Sequence, residues 1–382
     1  MISRKTFLKS VAGAAVMAGL GGGTAGAAPA DSRAADAAGP RLGKLRGGVC
    51  YDTGVLHSAS EPLSRVRWSR GQLEREIGMI ADLRCPSITA FGSDIGRLTE
   101  TTAAALRRGM EVYVQPRLYD HSQEEILEHM AETARKAERL RRGDNVKFVT
   151  GCEHFLFTPG IVPGENFLDR INNMDQIPEA EWPNIIRRFR QFMARAVEVT
   201  RREFGGRITY GAADDADAVW NDWSLFDIVG VDYYAYFPTD AEYTTDLAKY
   251  RKWNKPIMIL EFGCCTFTGA AQAGGMGWDI LDYPDDPEKP ATVKPGFVRD
   301  EHEQAEHIAR MLRVFGQEKV QGAHLYSFIS PDSPHHPTNR DYDYDIASYT
   351  LLKTLRTRHH DEASPYRTEP KQSFHAFRRH NC

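Results

Sequence analysis

The stretch Lys255-Pro256-Ile257-Met258-Ile259-Leu260-Glu261-Phe262-Gly263 decides how this 382-residue chain reads. A proline turn precedes a short apolar run, and a carboxylate stands where the run stops. A continuous apolar run bounded by turn signals suits a strand buried on both faces, as in a parallel sheet wrapped by helices. The carboxyl end of such a strand faces the side on which barrel enzymes build their sites. Upstream, Val146-Lys147-Phe148-Val149-Thr150-Gly151-Cys152-Glu153-His154 has the same shape, with Glu153 just past the strand end. Taken singly, either glutamate is equally well explained as a surface loop residue. Taken together, at matching positions, they supply one rim with the two carboxylates that a hydrolase needs.

Around these two strands the pattern alternates. Gly47–Asp52, Ser87–Phe91, Val112–Pro116, Ile208–Ala212, Asp227–Tyr234 and Gly322–Phe328 read as further strands. Helical stripes separate them: Leu73 to Leu83, Leu98–Arg108, Gln123–Arg142, Ile185–Phe204, Asp246–Trp253 and Glu301–Phe315, with a last helix expected near Ala347–Thr357. Only a brief Trp-rich connection follows the fifth strand. Two long loops, Phe155–Pro183 and Cys264–Arg299, follow the two glutamate-bearing strands and are placed to cover a site. Eight strands alternating with helices in one run predict a single (β/α)₈ TIM barrel, of class α/β, over residues 41–382. The competing open, doubly wound sheet lacks its glycine-rich phosphate turn after the first strand.

Composition narrows the function classes. Hydrophobic residues make up 41% of the chain, enough for a sizeable core, and the net charge of −4 gives no electrostatic footprint for nucleic acid. Residues 1–27 read as an export signal. Arg4-Lys5 within Ser3–Lys9 is twin-arginine-like, an apolar stretch runs from Val11 to Leu20, and Ala25-Gly26-Ala27 offers a small-residue cleavage site. That stretch is too short for a permanent membrane span. Residues 28–40 read as a flexible leader, so the mature protein is expected outside the cytoplasm. The choice of export route and the oligomeric state stay open.

A glutamate ending the fourth strand and another ending the seventh resemble the clan-A (β/α)₈ retaining glycoside hydrolases. The mature chain also resembles an actinobacterial group of exported barrel proteins labelled "abortive infection protein". That likeness is carried by Tyr51-Asp52-Thr53-Gly54, Thr150 to Phe157, Asp227 to Tyr234, Glu261-Phe262-Gly263-Cys264 and Gly277-Trp278. The clan resemblance implies Glu153 as acid/base and Glu261 as nucleophile, a carbohydrate or glycoconjugate substrate, and no cofactor. Substrate contacts are expected from Asp52, His154, Tyr233, Tyr234, Trp278 and Tyr326, with either strand-six tyrosine placed to hydrogen-bond Glu261. One position departs from the clan: Cys152 stands where an asparagine usually contacts the sugar 2-hydroxyl, and His154 or Asp52 would have to replace that contact. A barrel that binds sugar without cleaving it is the alternative from another class.

The remaining candidates divide between site and scaffold. No CxxC pair among Cys50, Cys85, Cys152, Cys264, Cys265 and Cys382 suggests zinc, although export would permit disulfides. Cys152 is either a nucleophilic thiolate or a buried structural thiol. His335-His336 with Asp341, Asp343 and Asp345 would make a metal-dependent hydrolase only if a histidine turned inward beside the acidic run; the plainer reading is a solvated loop. His57 is a candidate cleft residue, and Asp214-Asp215-Ala216-Asp217 a polar loop with a helix cap.

Overall fold

The computed structural model describes residues 45–57, 62–214, 216–284, 286 and 289–382. The proposed signal peptide (1–27) and leader (28–40) lie outside the described residues. Eight strands close a parallel barrel in the order β1-β8-β7-β6-β5-β4-β3-β2. These are β1 Gly48–Asp52, β2 Ser87–Gly92, β3 Glu111–Pro116, β4 Val146–Cys152, β5 Ile208–Ala213, β6 Val229–Asp232, β7 Ile257–Phe262 and β8 Gly322–Leu325. Both β4 and β7 are buried along their whole length, as their unbroken apolar runs require.

The outer helices are α1 Arg70–Asp82, α2 Ile95–Arg107, α3 Gln123–Leu140, α4 Trp182–Glu203, α5 Asp240–Arg251 and α6 Glu301–Gln317. Local chemistry sets their ends. Ser122 and Glu125 form a capping box that starts α3, whose inner stripe buries Ile126, Leu127, Met130, Ala134 and Ala137. A second capping box, Thr239 with Glu242, starts α5 six residues before the position that its apolar spacing predicts. Among the described residues, no helix is long and apolar enough to cross a membrane.

The expected last helix over Ala347–Thr357 does not form. A 3₁₀ turn, Tyr344–Ala347, leads instead into strand β9, Leu352–Arg356, which pairs antiparallel with β10, Tyr366–Pro370. Leu352 and Thr354 are buried with Lys353 between them half-buried, the period of a strand. The closing helix is α7, Gln372–Asn381, and its Asn381 Oδ1 accepts from Gly47 N–H at 2.9 Å. That bond ties the chain's end to the start of β1.

The barrel interior is partly polar. His324 on β8 is fully buried, with Nε2 2.7 Å from Ser87 Oγ and Nδ1 2.7 Å from Thr89 Oγ1. Burial pushes its pKa down to about 3, with Lys147 adding to the effect. Between that value and the ordinary 6.5, the unfolded chain binds a proton that the folded chain refuses. The stability from neutral His324 is therefore complete above pH 6.5 and is lost as pH falls toward 3. Relative to His324→Gln, the parent should lose about 1.4 kcal/mol of unfolding free energy per pH unit below 6.5. Urea titrations of both proteins from pH 7 to 5 check this, and parallel curves would contradict it.

Candidate active site

Strand ends converge at the carboxyl rim, where a cavity of ≈ 660 Å³ opens. Glu153 and Glu261 both line it. Glu261, within the last two residues of β7, is 5% exposed. Its Oε1 is ion-paired with Arg117 Nη2, and its Oε2 accepts from Tyr234 Oη at 2.9 Å. Arg117 is itself held by Gln115 Oε1, which accepts from Nε at 3.0 Å and Nη2 at 2.7 Å. The guanidinium also lies over the Phe91 ring at 4.1 Å. Two donors on one buried carboxylate satisfy its oxygens and fix its direction.

Glu153 is positioned by a turn rather than by a strand. Gly151 has φ +92°, and a Cβ there would lie 2.2 Å from His154 Nε2, so only glycine fits. Glu153 itself adopts a left-handed conformation (φ 40°, ψ 50°), and its N–H donates to Gly211 O at 2.8 Å. A non-glycine residue held in that region marks a local constraint that the surroundings maintain. His154 supplies part of it. Its Nε2 donates to Thr150 O at 2.7 Å, Nδ1 faces Thr158 Oγ1 at 2.8 Å, and its ring stacks on Tyr210. Burial pushes the His154 pKa down to about 4.

His154 is thus a clamp on the turn, packed toward Phe192 of α4, and not a substrate contact as expected. Tyr233 is corrected in the same way: its hydroxyl donates to Asp246 at 2.8 Å and its ring packs against Tyr243 and Phe315. Successive side chains at a strand end point to opposite sides, so Tyr234 reaches Glu261 and Tyr233 cannot. Asp52, Tyr234, Trp278 and Tyr326 all line the cavity with the two glutamates, as does His57. Asp52 Oδ1 accepts from Gly54 N–H at 2.6 Å, and its pKa is pushed up to about 6 by burial and by Asp332. The aromatic wall continues through Tyr119 and Phe157, stacked at 3.8 Å.

Two residues went unassigned in the sequence. Arg117 follows β3 by one position and Asp232 ends β6, so the strand-end rule that selects the glutamates applies equally to both. Asp232 is fully buried, and its pKa is raised well above the carboxylate range by burial, then by Glu261 and Glu153. Cys152 Sγ lies 3.5 Å from Asp232 Oδ2, and burial pushes the thiol's pKa well up, so a thiolate nucleophile at 152 is disfavoured. All six cysteines are free.

Among the described residues, two side-chain clusters have the spacing of a metal site. Cys152, Glu153 and Asp232 bring one ligand atom each within 4.8 Å of one another, but these are the crowded acids of the cleft itself. His335, Asp343 and Asp345 form the second. There Arg299 bonds Asp343 at 3.0 Å and Asp345 at 2.7 Å, and Lys371 reaches Asp345 at 3.0 Å. Built-in cations already neutralise that group, and His335 turns to Asp343, not inward to the cavity. Neither His335 nor His336 lines the cavity, so that run does not supply the inward histidine a metal-dependent hydrolase required.

No family model matches the chain, and no curated protein matches it. Solved structures do. A GH5_18 variant from Streptomyces cattleya in complex with Manβ1-4GlcNAc is 14% identical, with 88% of this chain and 79% of that one covered at a TM-score of 0.51. Beta-glucuronidase 2 from Bacteroides uniformis, covalently bound to cyclophellitol-6-carboxylate aziridine, is also 14% identical. That alignment covers 81% of this chain but 33% of the other, at a TM-score of 0.54. The GH113 beta-mannanase from Alicyclobacillus acidocaldarius is 16% identical, covering 89% and 97%, at a TM-score of 0.48. At these identities the likeness is one of fold, and that of the first two structures agrees with the single (β/α)₈ barrel.

The buried ion pair has a measurable consequence. Removing Arg117 leaves the Glu261 charge buried and unpaired, which costs about 3–5 kcal/mol. Arg117→Met should lose stability on that scale at pH 7, and adding Glu261→Gln should recover most of the loss. Urea unfolding of the two single variants and the double variant checks this, and additive losses would contradict it.

Proposed function

We propose that this protein is an exported glycoside hydrolase that works with retention, using Glu261 as nucleophile and Glu153 as acid/base. The observation that carries the reading is that β4 and β7 each deliver a glutamate into one cavity, and the two have different surroundings. Glu261 is ion-paired with Arg117 and hydrogen-bonded by Tyr234, which suits a group that must attack as a carboxylate. Glu153 stands among acids, with Asp232 and Cys152 close by. The clan resemblance gives the glutamate at the end of β4 the acid/base role.

In the first step a Glu261 oxygen attacks the anomeric carbon while Glu153 protonates the departing oxygen. In the second step Glu153 takes a proton from water, and that water displaces Glu261 from the sugar. The aromatic wall with Trp278 and Tyr326, beside polar groups such as Asp52 and His57, suits a carbohydrate that stacks on rings and hydrogen-bonds through its hydroxyls. With His154 engaged elsewhere, the 2-hydroxyl contact that Cys152 cannot make well falls to Asp52. Export is part of the proposal and rests on the sequence of residues 1–27 alone. The likeness to the actinobacterial exported proteins rests on the motifs quoted above.

Turnover of a panel of aryl glycosides tests the roles. Glu261→Gln should abolish turnover, since an amide cannot form the glycosyl ester. Glu153→Ala should slow poor leaving groups by about 10²–10⁴-fold and activated aryl glycosides far less. Azide should partly restore the second variant and give a glycosyl azide of the substrate's own anomer. A parent that binds sugars but cleaves none would favour the silent binding barrel, and parental rates in both variants would reject the assignment.

A further inference from the structure

We propose that Asp232 is a neutral carboxylic acid beneath the catalytic floor, donating its hydrogen bond to Glu153 and positioning that glutamate while it is ionised. The inference rests on the reading of Glu153 as acid/base and goes beyond it, because Asp232 is a positioning residue set behind the reacting groups.

Its surroundings are those of an uncharged acid. Asp232 is 0% exposed, while Cys152, Glu153 and Glu261 line the cavity. Its Oδ1 has no hydrogen-bond partner, and its Oδ2 meets only the Cys152 thiol, a weak donor, at 3.5 Å. Its backbone stands opposite Glu261 in the β6–β7 register. Gly211 of β5 makes room for it, since a Cβ there would lie 2.9 Å from Asp232 Oδ2 and 2.8 Å from Gln115 Nε2.

The groups facing Asp232 come from all sides. Glu153 and Cys152 end β4, Glu261 ends β7, Arg117 follows β3 and Asp217 follows β5. Cys50 of β1 and Tyr234 just past β6 are also near it. Arg117 is the cation of this set, and its donors go to Glu261, Gln115 and Tyr119. A third carboxylate here would be buried without a strong donor, between two others, with the guanidinium already engaged. Burial and repulsion act in the same direction.

A neutral acid has one proton to place, and Oδ1 is free to take or offer it. Glu153 is an acidic acceptor within reach, with a carboxyl oxygen within 4.8 Å of an Asp232 oxygen, whereas Glu261 is ion-paired with Arg117. Catalytic hydrogen bonds are often long without substrate and tighten in the complex. The proton balance is simple. Glu153 gives its own proton to the leaving oxygen, and the Asp232 hydroxyl then donates to the new carboxylate. Glu153 next takes a proton from water, and the Asp232 proton stays on Asp232 throughout.

Infrared difference spectra of the parent and Asp232→Asn test this without any substrate, so the result is independent of the glycosidase reading. At pH 8, where Asp52, at about 6, is ionised, the parent should keep the carbonyl band of a buried protonated carboxyl and the variant should lack it. Absence of that band in the parent would overturn the proposal. With a glycoside that the parent cleaves, Asp232→Asn, which still offers an N–H, should lose less than roughly tenfold in kcat/KM. Its alkaline limb should stay within about half a pH unit of the parent's. Asp232→Ala, which offers no donor, should lose roughly 10–100-fold. If Asp232 were ionised, replacing it by Asn would remove a negative neighbour and lower the Glu153 pKa. The alkaline limb would then move down by a unit or more, which would also overturn the proposal. A parent with the protonated band but no turnover of any glycoside would leave Asp232 neutral and reject the glycosidase reading alone.

Discussion

One buried guanidinium ties the floor of the cleft together. Arg117 is 5% exposed, sits over Phe91, is locked by Gln115, and gives its remaining strong donor to Glu261. A cation buried this deeply repays its desolvation only if its partner is well placed and the other donors are satisfied, and both conditions hold here. Because Arg117 stabilises one carboxylate, the others must find different solutions. Asp232 has no strong donor, and Glu153 is left among acids at the mouth. The three carboxyl groups of the cleft therefore differ by environment. The proposed division of labour, one glutamate as nucleophile and another as proton donor, requires a difference of this kind.

The scaffold imposes these environments through short-range constraints. Gly151 and the left-handed Glu153 swing the β4 chain inward, and the neutral His154 clamps the turn from behind. Alternation at the end of β6 sends Asp232 and Tyr234 toward the cavity side and Tyr233 toward α5 and α6. Rigid strand ends thus place the charged groups, while the longer loops bring Trp278 and Phe157 to the walls and the short connection after β3 brings Tyr119.

The sequence made the barrel legible because buried parallel strands leave unbroken apolar runs, and each of the eight runs proved to be a strand. It also made Glu153 and Glu261 legible, since a carboxylate that interrupts such a run is conspicuous. It misled where the signal was local. Ala347–Thr357 carries enough apolar residues to suggest a helix, but Leu352 and Thr354 alternate as a strand does. His154 and Tyr233 adjoin site residues in the chain, yet the left-handed turn at Glu153 sends the first away and strand alternation past β6 the second. Arg117 and Asp232 were visible to the strand-end rule but were not separable from ordinary rim charges. Their importance lies in which partners they meet across the barrel, and that depends on closure of the sheet rather than on any spacing along the chain.

The central claim is that Glu261 is the group that attacks the anomeric carbon. Incubation with a panel of mechanism-based glycosyl epoxides or aziridines, followed by intact mass and peptide mapping, tests it most directly. The account predicts a single covalent sugar adduct, mapped to Glu261. Labelling of Cys152, Glu153 or Asp232 in its place would contradict it, as would turnover of an aryl glycoside by a protein in which Glu261 is never modified.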